Sequence, residues 1–275
     1  MTSAAATQRP TPQVTARATT RAGDLVASEW IKFRSVSSTH VVLLTAVITA
    51  FGVGLLVCNS DASQWAHLPP GQRAAIDPMA DSFVGFAIAQ LIFAAVGVLT
   101  MTGEYSSGLI RTTFAAVPAR RAVLAAKAAV VSAVTFAVGL VTALASFAAG
   151  QAILSRQHIG ISLSHPGAVR AIIAAALFLV AVSLTGLALG VLIRNAAGAL
   201  TAVVVVLFVG PSFLHGTSRW VIDIANALPA NAIRRLASLH PWPNAPSVTE
   251  AVIVIVIYPV VTLAAAAYVI HRRDA

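Results

Sequence analysis

The chain has 275 residues, 58% of them hydrophobic, and only 10% are Asp, Glu, Lys or Arg. Soluble domains carry about 25% charged residues, so a mean hydropathy of +0.85 overrides the one or two globular domains that length alone suggests and points to a polytopic membrane protein. The net charge of +9 is dispersed between apolar runs rather than gathered on one face, which argues against a nucleic-acid partner, and the lone Cys58 excludes a disulfide framework within the chain.

Residues 1–23, MTSAAATQRPTPQVTARATTRAG, hold almost nothing to bury and are expected to be a disordered cytoplasmic tail. The first apolar run begins near Thr39, late for a signal peptide. LLVC at 55–58 carries a valine too bulky for a lipoprotein cleavage site, and five further apolar runs follow it. Between tail and first run lies DLVASEWIKFRSV, 24–36. Asp24 is placed to cap a helix. Val26, Trp30 and Phe33 fall at i, i+4 and i+7 on one face, with Leu25 and Ile31 broadening it. Glu29, Lys32 and Arg34 are expected to stay polar. The pattern predicts an amphipathic helix on the inner membrane interface, with Trp30 as anchor and the cations toward anionic headgroups of the lipid bilayer.

A membrane-spanning helix needs ~20 apolar residues. Six runs qualify: 39–58, 83–102, 123–148, 169–193, 197–215 and 250–270. They are continuous rather than alternating, which favours helices over a β-barrel. The expected fold is therefore an all-α membrane protein with six transmembrane helices, a single domain over 24–275. Lys127 and Arg170 lie near span ends, where long side chains can snorkel to the interface.

Orientation follows from Lys and Arg. With the N-terminus inside, the inner segments carry twelve (Arg9, Arg17, Arg21, Lys32, Arg34, Arg111, Arg120, Arg121, Lys127, Arg194, Arg272 and Arg273). The outer ones carry six: Arg73, Arg156, Arg170, Arg219, Arg234 and Arg235. Both termini are therefore expected in the cytoplasm. The longest outer segment, 216–249, contains Trp220 and Trp242 and is expected to form one or two short helices at the membrane.

Within the spans, Gly186 and Gly190 form a small-xxx-small pattern suited to close packing inside the bundle. Pro259 and Pro211 each remove a backbone donor, and Pro259 is expected to kink its helix. No ionisable residue falls at mid-membrane, which argues against a proton- or ion-coupled carrier. The seven histidines show no close ligand spacing, so no metal site is expected. The chain lacks a G-x-x-x-x-G-K-[ST] phosphate loop and any catalytic constellation. It is not expected to be an enzyme or to bind a cofactor.

One stretch stands apart. Residues 102–127, TGEYSSGLIRTTFAAVPARRAVLAAK, interrupt the apolar runs on the inner side. Gly103 is expected to end the second span. Leu109, Ile110, Phe114 and Val117 form one helical stripe, and Pro118 ends it. Such a helix suits docking in a groove of a cytoplasmic partner. A plain basic topology loop fits the residues equally well.

The pattern Gly103-Glu104-Tyr105, Gly108, Ile110-Arg111-Thr112-Thr113, Pro118, Arg120-Arg121 and Lys127 resembles the loop between spans two and three of bacterial ABC transporter permeases of the type-2 exporter class. SEWIKFRSVSSTH, 28–40, is similar to that family's interfacial helix, and the terminal HRRDA to its basic ending. The resemblance implies a coupling helix seated on a separate ATP-binding subunit, with ATP and Mg on that partner. It implies coupling roles for Glu104, Tyr105, Gly108, Arg111, Pro118 and Arg120. Leu109, Ile110 and Phe114 would be the buried contacts, and Glu104 and Arg111 would form charge pairs in the loop or with the ATPase. It also implies pairing with a second permease, homodimer or homologue, and a cargo path along spans two and five with Gln90, Thr201 and Phe208 as candidates. The function expected is the permease of an ATP-driven exporter of an apolar or amphipathic cargo (drug, peptide or lipid) in the bacterial plasma membrane. The alternative is a non-transporting immunity or sensor subunit that binds a partner through the same loop.

Overall fold

The computed structural model describes residues 21–210 and 218–272, and all regular structure in them is helical. Helix α1 (Ala22–Ser35) leads into α2 (Ser37–Gln64), followed by the short α3 (Pro70–Arg73) and α4 (Pro78–Asp81). Helix α5 (Phe86–Ser106) is joined to α7 (Arg120–Leu154) through the eight-residue α6 (Leu109–Ala116). Helix α8 (Ala168–Ile193) turns at Arg194 and Asn195 into α9 (Ala196–Val204), which runs on into a π-helical turn (Val205–Val209). Two short helices, α10 (Arg219–Asn226) and α11 (Pro229–Ala237), precede the last, α12 (Val248–Arg272).

Among the described residues, and with their terminal turns, five helices are long and apolar enough to cross a membrane: Ser37–His67, Phe86–Ser106, Arg120–Gln157, Ala168–Ile193 and Val248–Arg272. The run expected at 197–215 differs. Ala196–Val209 is a shorter apolar helix, and at 1.5 Å per residue it falls short of a ~30 Å hydrocarbon layer. Positions 211–215, Pro211 among them, lie outside the described residues. Arg194 stacks on Tyr105 at the C-terminal end of α5, whereas Ser238 bonds Asp77, which precedes the N-terminal end of α5. Arg194 and Ser238 thus lie near opposite ends of α5.

Helix α8 is the centre of the bundle. Most of its apolar stretch is buried (72%), against 28% for α2 and 22% for α12. Small residues make this possible. A Cβ on Gly186 would overlap the Ala94 carbonyl, and one on Gly97 would overlap the Ser183 carbonyl, so α5 and α8 touch backbone to backbone. Ser183 Oγ bridges them, donating to the Phe93 carbonyl at 2.9 Å and to Leu179 at 2.8 Å. In lipid, where apolar burial between helices gains little, close packing and such bonds hold helices together. On the periphery, Val41, Leu44, Ile48 and Leu56 of α2 and Ile253, Val256, Val260 and Val261 of α12 are exposed, an outer surface suited to acyl chains.

Several local expectations change. Of the predicted tail, residues 1–20 lie outside the described ones, and Ala22 already belongs to α1. Asp24 is not the cap but sits in the first turn, where its carboxylate accepts the Arg21 backbone N–H at 3.3 Å. The buried stripe of α1 is Leu25, Glu29 and Phe33, while Val26, Trp30 and Ile31 are exposed. Phe33 thus belongs to the inward face, and Val26 and Trp30 to the outward one. Gly103 lies inside α5, and the break comes at Gly108. Pro259, where a kink is expected, lies buried inside α12.

Gly186→Val is expected to lower stability by about 1–3 kcal/mol through overpacking. Gly52, with nothing near its added Cβ, should tolerate alanine with a gain of up to about 1 kcal/mol. Thermal melting of the purified variants in detergent checks both.

Candidate functional site: a buried ion network at one end of the bundle

At the end of the bundle where α5 finishes and α7 starts, four charged side chains meet. Lys127 Nζ donates to Glu29 Oε2 at 2.5 Å and to Glu104 Oε1 at 2.8 Å. Lys32 Nζ donates to Glu29 Oε1 at 2.7 Å, to Glu104 Oε1 at 3.1 Å and to Thr113 Oγ1 at 3.2 Å. Lys127, Glu29 and Glu104 are 2%, 3% and 6% exposed. The set carries two positive and two negative charges and so adds none to the interior. It joins α1 (Glu29, Lys32), α5 (Glu104), α6 (Thr113) and α7 (Lys127).

The local sequence explains why these groups converge. Glu29 lies between Leu25 and Phe33 at four-residue spacing, so burying that stripe buries the carboxylate with it. Desolvating an ion costs several kcal/mol unless it is paired and hydrogen-bonded. Lys127 lies nearly two helical turns into α7, too deep to lift its ammonium to water, and it meets carboxylates instead. It therefore does not snorkel, and Glu29 does not face solvent. Burial alone would lower the Lys32 pKa, but the bonds to Glu29 and the charge of Glu104 outweigh it and hold the ammonium above its ordinary value.

Helix α6 is pinned by packing as well. Gly108, at φ +73°, turns the chain out of α5, and Val117, followed by Pro118, ends α6 in extended backbone. Ile110 and Phe114 are buried, in a cluster with Met101, Leu124, Leu187 and Ile270. Arg120 lies over the Phe114 ring at 5.3 Å and donates to the Ile270 carbonyl at 3.3 Å, tying α6 to the last turn of α12. Arg194 lies over the Tyr105 ring at 5.2 Å.

This arrangement divides the predicted coupling residues. Ile110 and Phe114 face the chain's own core, so the expected stripe is not a free docking surface. Gly108, Leu109, Arg111, Thr112, Pro118 and Arg121 are exposed on the other side. Glu104 does not pair with Arg111: it is held by the two lysines, and Arg111 makes no ion pair among the described residues. The three cargo-path candidates are not brought together. Gln90 is buried beside a cavity at the opposite end of the bundle. Thr201 is exposed and donates to the Ala197 carbonyl at 2.9 Å, and Phe208 is half-buried in the π-helical turn.

Sequence reasoning placed Glu104 and Lys127 in one motif but missed Glu29 and Lys32 as their partners. The available signal was a carboxylate inside an apolar stripe. The fold and this site define a multi-pass helical membrane protein with a charge-locked helical cap at one end. No protein-family model matches the chain, and no curated protein matches it.

Removing one partner leaves an uncompensated buried charge. Lys127→Met is therefore expected to cost about 3–5 kcal/mol. Combined with Glu29→Gln, it should cost less than the sum of the two single changes, by about 0.5–3 kcal/mol. A double-mutant cycle on melting or chemical unfolding measures that coupling.

Proposed function

We propose that the chain is the membrane-spanning permease subunit of an ATP-driven exporter of the type-2 class that its loop resembles. The observation that carries the reading is the ion network. It ties the short helix α6 to α1, α5 and α7, so a force applied to α6 reaches two long helices at once. The links are short: Ser107 and Gly108 on one side, Val117 to Ala119 on the other. Elements this tightly joined move together rather than bending independently.

The charge balance supports an orientation. The network end carries Arg21, Lys32, Arg34, Arg111, Arg120, Arg121, Lys127, Arg194 and Arg272 among the described residues, against Arg73, Arg156, Arg170, Arg219, Arg234 and Arg235 at the other. Nine against six, in those two sets, favours the network end as cytoplasmic. In this reading the segment from 196 onward supplies a sixth crossing, both termini lie in the cytoplasm, and the membrane is the bacterial plasma membrane. The exposed face of α6, with Leu109, Arg111 and Thr112, docks on a separate ATPase that binds ATP and Mg. Two permeases, identical or homologous, pair about a twofold axis. The cargo is apolar or amphipathic: a drug, a peptide or a lipid.

Arg111 is the residue that tests the coupling. Glu104→Ala is expected to disturb folding, because it takes a carboxylate from Lys32 and Lys127, whereas Arg111 is exposed and its replacement should change stability by no more than about 0.5 kcal/mol. Co-expression with a candidate phosphate-loop ATPase subunit, followed by co-purification and ATP-dependent efflux, is the assay. Arg111→Glu is expected to weaken ATPase capture by about tenfold, equivalent to ~1.4 kcal/mol, and to reduce efflux with the melting temperature unchanged. Undiminished capture and efflux would contradict the docking face. Capture of the ATPase without any ATP-dependent efflux would favour the immunity or sensor reading.

A further inference from the structure

At the end of the bundle opposite the ion network, a cavity of about 620 Å³ lies between α4, the start of α5, α8, α11 and the segment that follows α11. That volume falls in the ordinary range for small-molecule sites. Its lining includes Asp81, Phe86, Gln90, Phe178, Arg234 and Trp242.

Two of these groups lack a partner of the same kind. Gln90 is only 4% exposed. Its Nε2 donates to the Ala87 carbonyl at 2.8 Å, but its Oε1 is buried and accepts nothing. Asp81 Oδ2 is also buried and accepts no hydrogen bond, although the Asp81 carboxyl lies within hydrogen-bonding reach of Asp61, and Asp81 makes no ion pair among the described residues. Burial, followed by the charges of Asp61 and Asp77, pushes the Asp81 carboxyl up to about 7.

Asp77 cannot relieve either group, because it is an acceptor and is already engaged. Its Oδ1 accepts the Met79 and Ala80 N–H groups. Its Oδ2 accepts the Ser238 hydroxyl at 2.6 Å and the N–H groups of Leu239 and His240. These bonds hold the segment after α11 against α4, beside the cavity. The cation at hand, Arg234, lies over the Trp242 ring at 4.5 Å. The rest of the wall combines the polar Asn231, Ser238 and His240 with aromatic rings, of which Phe86 and Phe178 are each 1% exposed. The cavity thus presents two buried acceptors, Gln90 Oε1 and Asp81 Oδ2, beside aromatic rings, with the exposed Arg234 on its rim.

We infer that this cavity binds a cationic amphiphile, a primary ammonium joined to an apolar body. The ammonium donates to Gln90 Oε1 and Asp81 Oδ2, and the apolar body packs on Phe86 and Phe178. Buried acceptors are costly to leave unpaired, and an ammonium offers three donors to meet them. The inference does not rest on the transport reading, since it concerns equilibrium binding to the chain alone.

The test uses the full-length chain in lipid nanodiscs, without ATPase or ATP. Dansylcadaverine, which carries a primary ammonium and an aromatic group, is titrated by its fluorescence beside empty nanodiscs. Dansyl-aminohexanoate, a carboxylate with the same fluorophore, serves as the comparison. Saturable binding of dansylcadaverine is expected, with the anionic probe about tenfold weaker or more. Gln90→Leu should weaken the cation about tenfold. Ala87→Trp, at an exposed position on the cavity wall, should abolish binding while leaving the melting temperature unchanged, which keeps the test valid even where Gln90→Leu impairs folding. A dansylcadaverine signal no larger than that of empty nanodiscs overturns the inference. So does equal binding of the two probes, or full binding by Ala87→Trp.

Discussion

Lys127 cannot be buried alone. An ammonium that is 2% exposed is tolerated only where carboxylates meet it, and here Glu29 and Glu104 do so from two different helices. Each carboxylate in turn needs the second cation, Lys32. The four groups therefore depend on one another, with Glu104 Oε2 alone left buried without a partner, which couples the positions of α1, α5 and α7. Thr113 adds α6 through the same ammonium. Pairing of this kind contributes little to net stability when compared with a well-packed apolar core, but breaking it is expensive. Its effect is to specify one arrangement of the four helices.

The rest of the bundle makes that arrangement consequential. Helix α5, which carries Glu104 at its end, lies backbone to backbone on α8 through Gly97 and Gly186. Helix α8 is the most buried of the long helices and also contacts α7 and α12. A shift of α5 at the network end cannot be absorbed by loose side chains along this contact, because close-packed backbones leave no slack. Arg120 extends the same body to the last turn of α12. Packing and charge together make α6 part of a rigid assembly, and this supports reading its exposed face as a docking surface.

Much of this was legible in residue order and some was not. Five long helices follow directly from apolar runs, because a span announces itself by length and composition alone. The fifth run, near Ala196–Val209, was visible as apolar, but its π-helical turn was not, since hydropathy says nothing about hydrogen-bond register. Ile110 and Phe114 were legible as one helical stripe, yet a stripe does not say which body covers it, and here it is the chain's own core. Glu29 was assigned to a polar face although Leu25 and Phe33 bracket it at helical spacing. Asp77 gave no local sign of its role, because its Ser238 partner lies 161 positions away. Pairings at that separation are set by the tertiary path, which local patterns do not encode.

The central claim is that the ion network fastens α1 to the spanning bundle. Amide hydrogen exchange over residues 22–35 measures this directly, since local opening is read as loss of protection. In the intact protein the amides of α1 beyond its first turn should be protected. In Lys127→Met their exchange should rise by about tenfold or more, equivalent to ~1.4 kcal/mol of local stability, while the amides of α8 remain unchanged. Equal protection of α1 in the two proteins would contradict the account.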